Sequence, residues 1–166
     1  MTTSLSRPTR PGEEPFSAAV PAPDDARLGF IGRLRSPYRT LDQCPKNRRA
    51  ALAAGHAGAA WLEVDAPFRE ALAGLAAGDH VFCLSWLHGA RRDLALQKPR
   101  HLEAARGTFS LRSPVRPNPI GLHLARIESI DVAAGIVRLD AIDVVDETPL
   151  VDVKPYHASV DRPDAE

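Results

Sequence analysis

Residues Arg112 to Gly121 read R-S-P-V-R-P-N-P-I-G. Pro114, Pro117 and Pro119 each fix φ and remove a backbone donor. They also push Ser113, Arg116 and Asn118 away from helical backbone. The segment is therefore stiff and extended or turning, and Gly121 allows close approach at its end. Two guanidinium groups, a hydroxyl and an amide lie along it. It reads either as a pre-organised binding edge or as a Pro-rich loop between strands.

Short strand patterns surround this segment. Leu28 to Arg35 reads as a strand stopped by Ser36-Pro37, and Ala59 to Val64 as a second. Tyr38 to Ala53 reads as a polar loop followed by a short Ala-rich piece. Pro67 to Leu75 carries helix signals, with Pro early and Gly74 and Gly78 to end it. His80 to Leu87 is short and almost continuously apolar, which suits a strand buried on both faces. Ala90 to Arg106 reads as loop with some helix, and Thr108 to Arg112 as a strand. Ile120 to Ile130 alternates and then shifts phase at Ile127, which implies a long strand with a bulge. Asp131 to Gly135 turns the chain into a returning strand, Ile136 to Ile142, with Val137, Leu139 and Ala141 on one side. Leu150 to Val153 is a last short strand. The fold class is mainly β, with one or two short helices, and closure of the sheet would remove its edges. Pattern alone does not separate barrel from sandwich.

The chain has 166 residues, 44% apolar and 25% charged, with no net formal charge. That suits one core-forming domain, expected over residues 27–160. Residues 1–26 hold five prolines and few large apolar side chains, which predicts a mobile tail. No apolar run is long enough for a membrane helix, and no signal-peptide core opens the sequence. Cys44 and Cys83 do not form a disulfide framework, and reduced thiols in a cytoplasmic protein are expected. Eight Lys or Arg lie between His88 and Arg126 against two acids, whereas ten acids and three bases follow from Ile127 onward. Such asymmetry either creates a one-sided potential or neutralises itself internally.

Several chemistries have no signature here. No G-x-G-x-x-G follows a strand, and no P-loop or nucleophile elbow occurs. The histidines at positions 56, 80, 88, 101, 123 and 157 are scattered, so no metal site is expected. His80 and His123 read as structural because each sits in an apolar strand. His88 follows a buried strand at its exit, where binding edges collect.

The Pro-rich stretch resembles the signature of the TsaA-like family, whose best-understood members are S-adenosylmethionine-dependent tRNA methyltransferases of the TrmO type. Two further stretches match in order. Ile31 to Tyr38 is similar to the family's opening strand and turn, and Asp143 to Tyr156 to its closing D-x-x-D-G-T-P-x-x-D-I-K-P-Y block. The resemblance implies a small closed β-barrel, a homodimer, S-adenosyl-L-methionine as methyl donor and tRNA as partner. The acceptor it implies is the exocyclic nitrogen of the threonylcarbamoyl-modified adenosine next to the anticodon. Carried over, the cofactor contacts are Pro45, Lys46 and Asn47; His88 and Gly89; Arg112; Leu122; and Asp146, Glu147, Thr148 and Pro149. Arg116, Asn118 and Asp143 would meet the acceptor. Asp152, Lys154 and Tyr156 supply the carboxylate, amine and phenol that proton transfer and positioning need.

Four departures stand out. The family's P-R-Q is Pro45-Lys46-Asn47 here, which exchanges a planar guanidinium for an ammonium. Its D-G-T-P is Asp146-Glu147-Thr148-Pro149, so a positive φ at the glycine position would strain Glu147. A Gly- and Asn-containing loop before R-S-P is replaced by Lys98 to Arg106, and no further domain is expected after Tyr156. These differences keep two alternatives open: a small-molecule methyltransferase, and a non-catalytic module that binds S-adenosylmethionine or has lost that ability.

Overall fold

A computed structural model describes residues 8–17, 27–56 and 58–163. Its strands in chain order are β1 (Glu14–Pro15), β2 (Gly32–Arg35), β3 (Ala60–Val64), β4 (His80–Trp86), β5 (Leu94–Gln97), β6 (Arg106–Gly107), β7 (Ile120–Asp131), β8 (Ile136–Leu139) and β9 (Thr148–Pro155). Two short α-helices, α1 (Arg48–Ala53) and α2 (Ala158–Asp161), accompany 3-10 helices at Ala66–Leu72 and Thr108–Ser110. The chain forms two compact units. One comprises Gly29–Trp86 with Leu122–Glu166, the other Met1–Leu28 with Leu87–Gly121.

The first unit is built on a closed barrel of strand order β2-β3-β8-β7-β4-β9. Alternation drives it. Leu34, Leu62, Val81, Cys83, Ala125, Ile127, Val137, Leu139 and Leu150 all point inward and are fully buried. Burying each large aliphatic side chain contributes roughly 1.5–3 kcal/mol, and closure leaves no exposed edge. The expected bulge in β7 falls where its pairing with β8 shifts between Ile127 and Ser129. Gly32 is required where β2 meets β3: its φ is 155°, and a Cβ there would stand 2.0 Å from the Glu63 carbonyl oxygen.

Several expectations are corrected. β2 begins at Gly32, because Leu28 and Phe30 lie 48% and 44% exposed and do not join the barrel face. The helix expected from Pro67 is a 3-10 turn over Ala66–Leu72, ended by Ala73 in non-helical backbone. The loop between Tyr38 and Ala53 contains a true α-helix, started by Asn47, whose side chain accepts from the Ala50 amide. β4 is buried on one face only; Phe82, Leu84 and Trp86 on the other are half-buried. Ala90 to Arg106 holds strand rather than helix, and Thr108–Ser110 is a 3-10 turn rather than strand.

The second unit carries a three-stranded sheet, β1-β5-β6. Its small core contains Leu94, Gln97, Thr108, Val115 and Pro119. The buried Gln97 amide donates to Thr108 Oγ1 at 2.8 Å and to the Val115 carbonyl at 2.6 Å. Thr108 Oγ1 in turn donates to the Leu94 carbonyl, so the polar atoms in this core are satisfied. Of the expected tail, residues 1–7 and 18–26 lie outside the described residues. Residues 8–17 are held in place: Glu14 pairs with Leu96, and Glu13 is buried with its carboxylate on Arg10.

Candidate functional site

The opening and closing motifs of the barrel unit clamp each other. The Arg35 guanidinium donates to Asp146 through Nε at 3.0 Å, and Arg39 pairs with the same carboxylate. The Ser36 amide donates to Asp146 Oδ1 at 3.0 Å, and Ser36 Oγ donates to the Val144 carbonyl at 2.7 Å. Backbone follows suit, with the Asp146 amide donating to the Tyr38 carbonyl at 2.7 Å. Burial pushes the Asp146 carboxyl up, but the Ser36 amide and the two guanidinium groups outweigh it and hold the pKa below the usual carboxylate range. The Asp146 carboxylate is thus engaged by partners within the protein, and it fixes the turn.

That turn is strained as expected. Glu147 has φ 64°, the one positive value at a non-glycine among the described residues. Its carboxylate stands 3.7 Å from both Arg33 and Arg35. Thr148 closes the turn by donating its hydroxyl to the Val145 carbonyl, and Pro149 follows it in β9, opposite Arg33.

Pro45, Lys46 and Asn47 lead into α1. Lys46 is exposed, and the Asn47 side chain is engaged as the helix cap. Leu122 lies on the outward face of β7, 48% exposed.

A series of side chains that pattern reading missed links β4, β7 and the segment after β8. Ser85 Oγ stands 2.9 Å from His123 Nε2, and His123 Nδ1 stands 3.0 Å from Asp143 Oδ1. Ser85 occupies the inward register of β4 with Val81 and Cys83, and His123 that of β7 with Gly121 and Ala125. A polar residue in the inward register of two neighbouring strands is the signal that could have found the pair. Asp143 follows β8; burial chiefly, and the Asp143 charge in addition, push the Cys44 thiol and the Tyr38 phenol upward.

Asp152, Lys154 and Tyr156 lie along the end of β9 and just beyond it. Lys154 Nζ pairs with Asp152 Oδ2 at 2.9 Å, with both side chains substantially exposed. Tyr156 packs edge-on against His80 and Phe82. Asp152 and Tyr156 border a cavity of about 580 Å³ that Phe68, Leu72, His80 and His157 also line. His80, read as structural because it sits in an apolar strand, is exposed at this rim.

In the second unit the Pro-rich segment is stapled from within. Arg116 donates to the carbonyls of Ser113, Thr108 and Leu111, and Arg92 donates to that of Pro117. The Arg116 guanidinium therefore shapes the loop. His88 and Gly89 form a turn closed by the Ala90 amide on the Leu87 carbonyl, and Leu87 itself donates to Pro119. Arg112 and Asn118 are exposed, as are Arg100 and Arg106. Among the described residues no cluster of His, Cys, Asp or Glu could hold a metal ion, and no helix is long and apolar enough to cross a membrane.

Residues 33–162 match the family of the tRNA-methyltransferase O N-terminal domain. A probable S-adenosyl-L-methionine-binding protein of Rhizobium radiobacter, VirR, is 35% identical over 147 residues, 89% of this chain and 80% of its own. The tRNA (adenine(37)-N6)-methyltransferase of Mus musculus is 42% identical over 95 residues, which cover 55% of this chain and 22% of that protein. The crystal structure of TrmO from P. aeruginosa matches with a TM-score of 0.64 at 35% identity, covering 85% of this chain and 60% of that one. The chain thus spans most of the bacterial binding protein and less than two thirds of the other two.

Proposed function

The chain belongs to the family of the tRNA-methyltransferase O N-terminal domain, and on that premise we propose that it methylates tRNA with S-adenosylmethionine as donor. The proposed acceptor is the exocyclic nitrogen of threonylcarbamoyl-modified adenosine next to the anticodon. The observation that carries this reading is the family match over residues 33–162, which takes in both motifs of the Arg35–Asp146 clamp.

Bound, the donor supplies an electrophilic methyl group on a cationic sulfur; such a displacement needs alignment more than covalent help. The residues present fit it. Acids predominate from Ile127 onward, and Asp143 keeps its side chain 24% exposed beside the Cys44 segment. We assign donor contacts on the barrel unit to Pro45, Lys46, Asn47, Leu122, Glu147, Thr148 and Pro149. Asp146 acts by fixing the turn, and Asn47 presents backbone because its side chain caps α1. On the second unit, His88, Gly89 and Arg112 are proposed donor contacts and Asn118 an acceptor contact, with Arg116 holding the loop. Asp152, Lys154 and Tyr156 are proposed as catalytic groups that position the acceptor.

Exposed Arg100, Arg106 and Arg112 support a phosphate-contacting face on the second unit. A cytoplasmic homodimer is the proposed working form. Calorimetry with S-adenosylmethionine tests the donor assignment: saturable heat is expected, and no heat at millimolar donor would leave only a non-binding module.

A further inference from the structure

We propose that Asp143 accepts the proton shed by the acceptor nitrogen, with His123 and Ser85 as its positioning residues. The inference rests on the methyl-transfer reading above and extends it: Asp143, expected to meet the acceptor, gains a proton-accepting role, and Ser85 and His123, which had none, position it. The Ser85–His123–Asp143 series is graded in exposure. Ser85 is wholly buried, the His123 side chain is 11% exposed and that of Asp143 24%. An incoming acceptor therefore meets the carboxylate first and cannot reach the serine, which rules out Ser85 as a nucleophile. An ionised carboxylate only accepts, so His123 Nδ1 carries the proton donated to Asp143 Oδ1, while Nε2 shares a hydrogen bond with Ser85 Oγ.

Two polar side chains in the inward register of an apolar barrel cost stability unless each is hydrogen-bonded. Here both are, and their effect is to hold one carboxylate at the barrel mouth in a single orientation. Its neighbours are Cys44 and Tyr38, the former adjoining the Pro45–Asn47 segment assigned to the donor. The chemistry balances. A nitrogen–carbon bond forms as the carbon–sulfur bond breaks, and the pair from the broken bond stays on sulfur as a neutral thioether. The nitrogen, now cationic, releases its proton to the carboxylate of Asp143. A carboxylate is basic enough, because a nitrogen whose lone pair has formed a bond holds its proton weakly.

The test compares wild type, Asp143→Asn, His123→Ala and His123→Gln by single-turnover methyl transfer to tRNA across pH, with donor affinity measured by calorimetry. The amide introduced by Asp143→Asn keeps the shape of the carboxylate without its basicity. D143N is expected to lose about 100-fold or more in rate at unchanged donor affinity, and to lose the acid limb of the wild-type pH–rate profile. H123A is expected to shift that limb and to slow transfer several-fold; H123Q, which can still donate an N–H to the carboxylate, is expected to recover part of both. Wild-type rate and pH profile in D143N would overturn the proposal while leaving the methyl-transfer reading intact. Rates that fall only in step with donor affinity would overturn it as well. Absence of transfer by the wild type would remove the reading itself, and the proposal with it.

Discussion

Arg35 and Asp146, 111 residues apart in sequence, meet at 3.0 Å through guanidinium Nε and carboxylate Oδ1. The pair joins the first strand of the barrel to the turn that opens its last. The Asp146 side chain is 4% exposed and that of Arg35 24%, so the carboxylate end of the contact is less open to salt and solvent than a surface ion pair.

Asp146→Asn is expected to destabilise the protein by about 2 kcal/mol, the scale of a lost charged hydrogen bond with its partners left behind. The variant should also change the response to acid. A carboxyl whose folded pKa is depressed adds stability that is complete above its unfolded value, near 3.9, and disappears as pH falls through the folded value. Urea midpoints measured between pH 7 and pH 2 should therefore fall more steeply below about pH 4 in the wild type than in D146N. Parallel curves would show that the clamp does not hold the charge as described.

Glu147 offers a cleaner backbone test. Glu147→Ala and Glu147→Gly both remove the contacts to Arg33 and Arg35. Only glycine escapes the cost of about 1–2 kcal/mol that a left-handed φ imposes, less about 0.5–1 kcal/mol of backbone entropy. E147G should accordingly be more stable than E147A by roughly 0.5–1 kcal/mol in urea denaturation. An E147A protein as stable as E147G would mean that the turn is not strained.

The two thiols are expected to be inert at neutral pH. Burial, with Asp143 and Asp42 nearby, pushes the Cys44 thiol to about 11, and burial pushes that of Cys83 to about 12. Iodoacetamide at pH 7.5 should label neither in the folded protein, because the thiolate is the reacting form. Cys44, the more accessible of the two, should react first as pH is raised. Rapid labelling of Cys44 at pH 7.5 would contradict this.

What the sequence disclosed depended on how local its cause was. The β7–β8 hairpin was legible because alternation, a phase shift and a turn glycine all lie within one stretch. The strain at Glu147 was legible because a residue with a Cβ stood where the resembling motif has glycine. β5 and β6 were not, since strands of four and two residues exist only through their pairing with each other and with β1. α1 was obscured by Pro45 and a polar run, although Asn47 is a good cap. His123 read as an ordinary strand residue because its partners lie 38 and 20 residues away, and no spacing rule joins such positions. Nor did the motif disclose that the Arg116 guanidinium, carried over as an acceptor contact, donates to carbonyls of its own loop.

The most direct measurement is transfer of label from methyl-labelled S-adenosylmethionine to tRNA carrying the threonylcarbamoyl-modified adenosine, followed by nucleoside analysis. Label is expected on the exocyclic nitrogen of that one nucleoside, dependent on the modification and weakened by added salt. Saturable donor binding with no label in tRNA would contradict it.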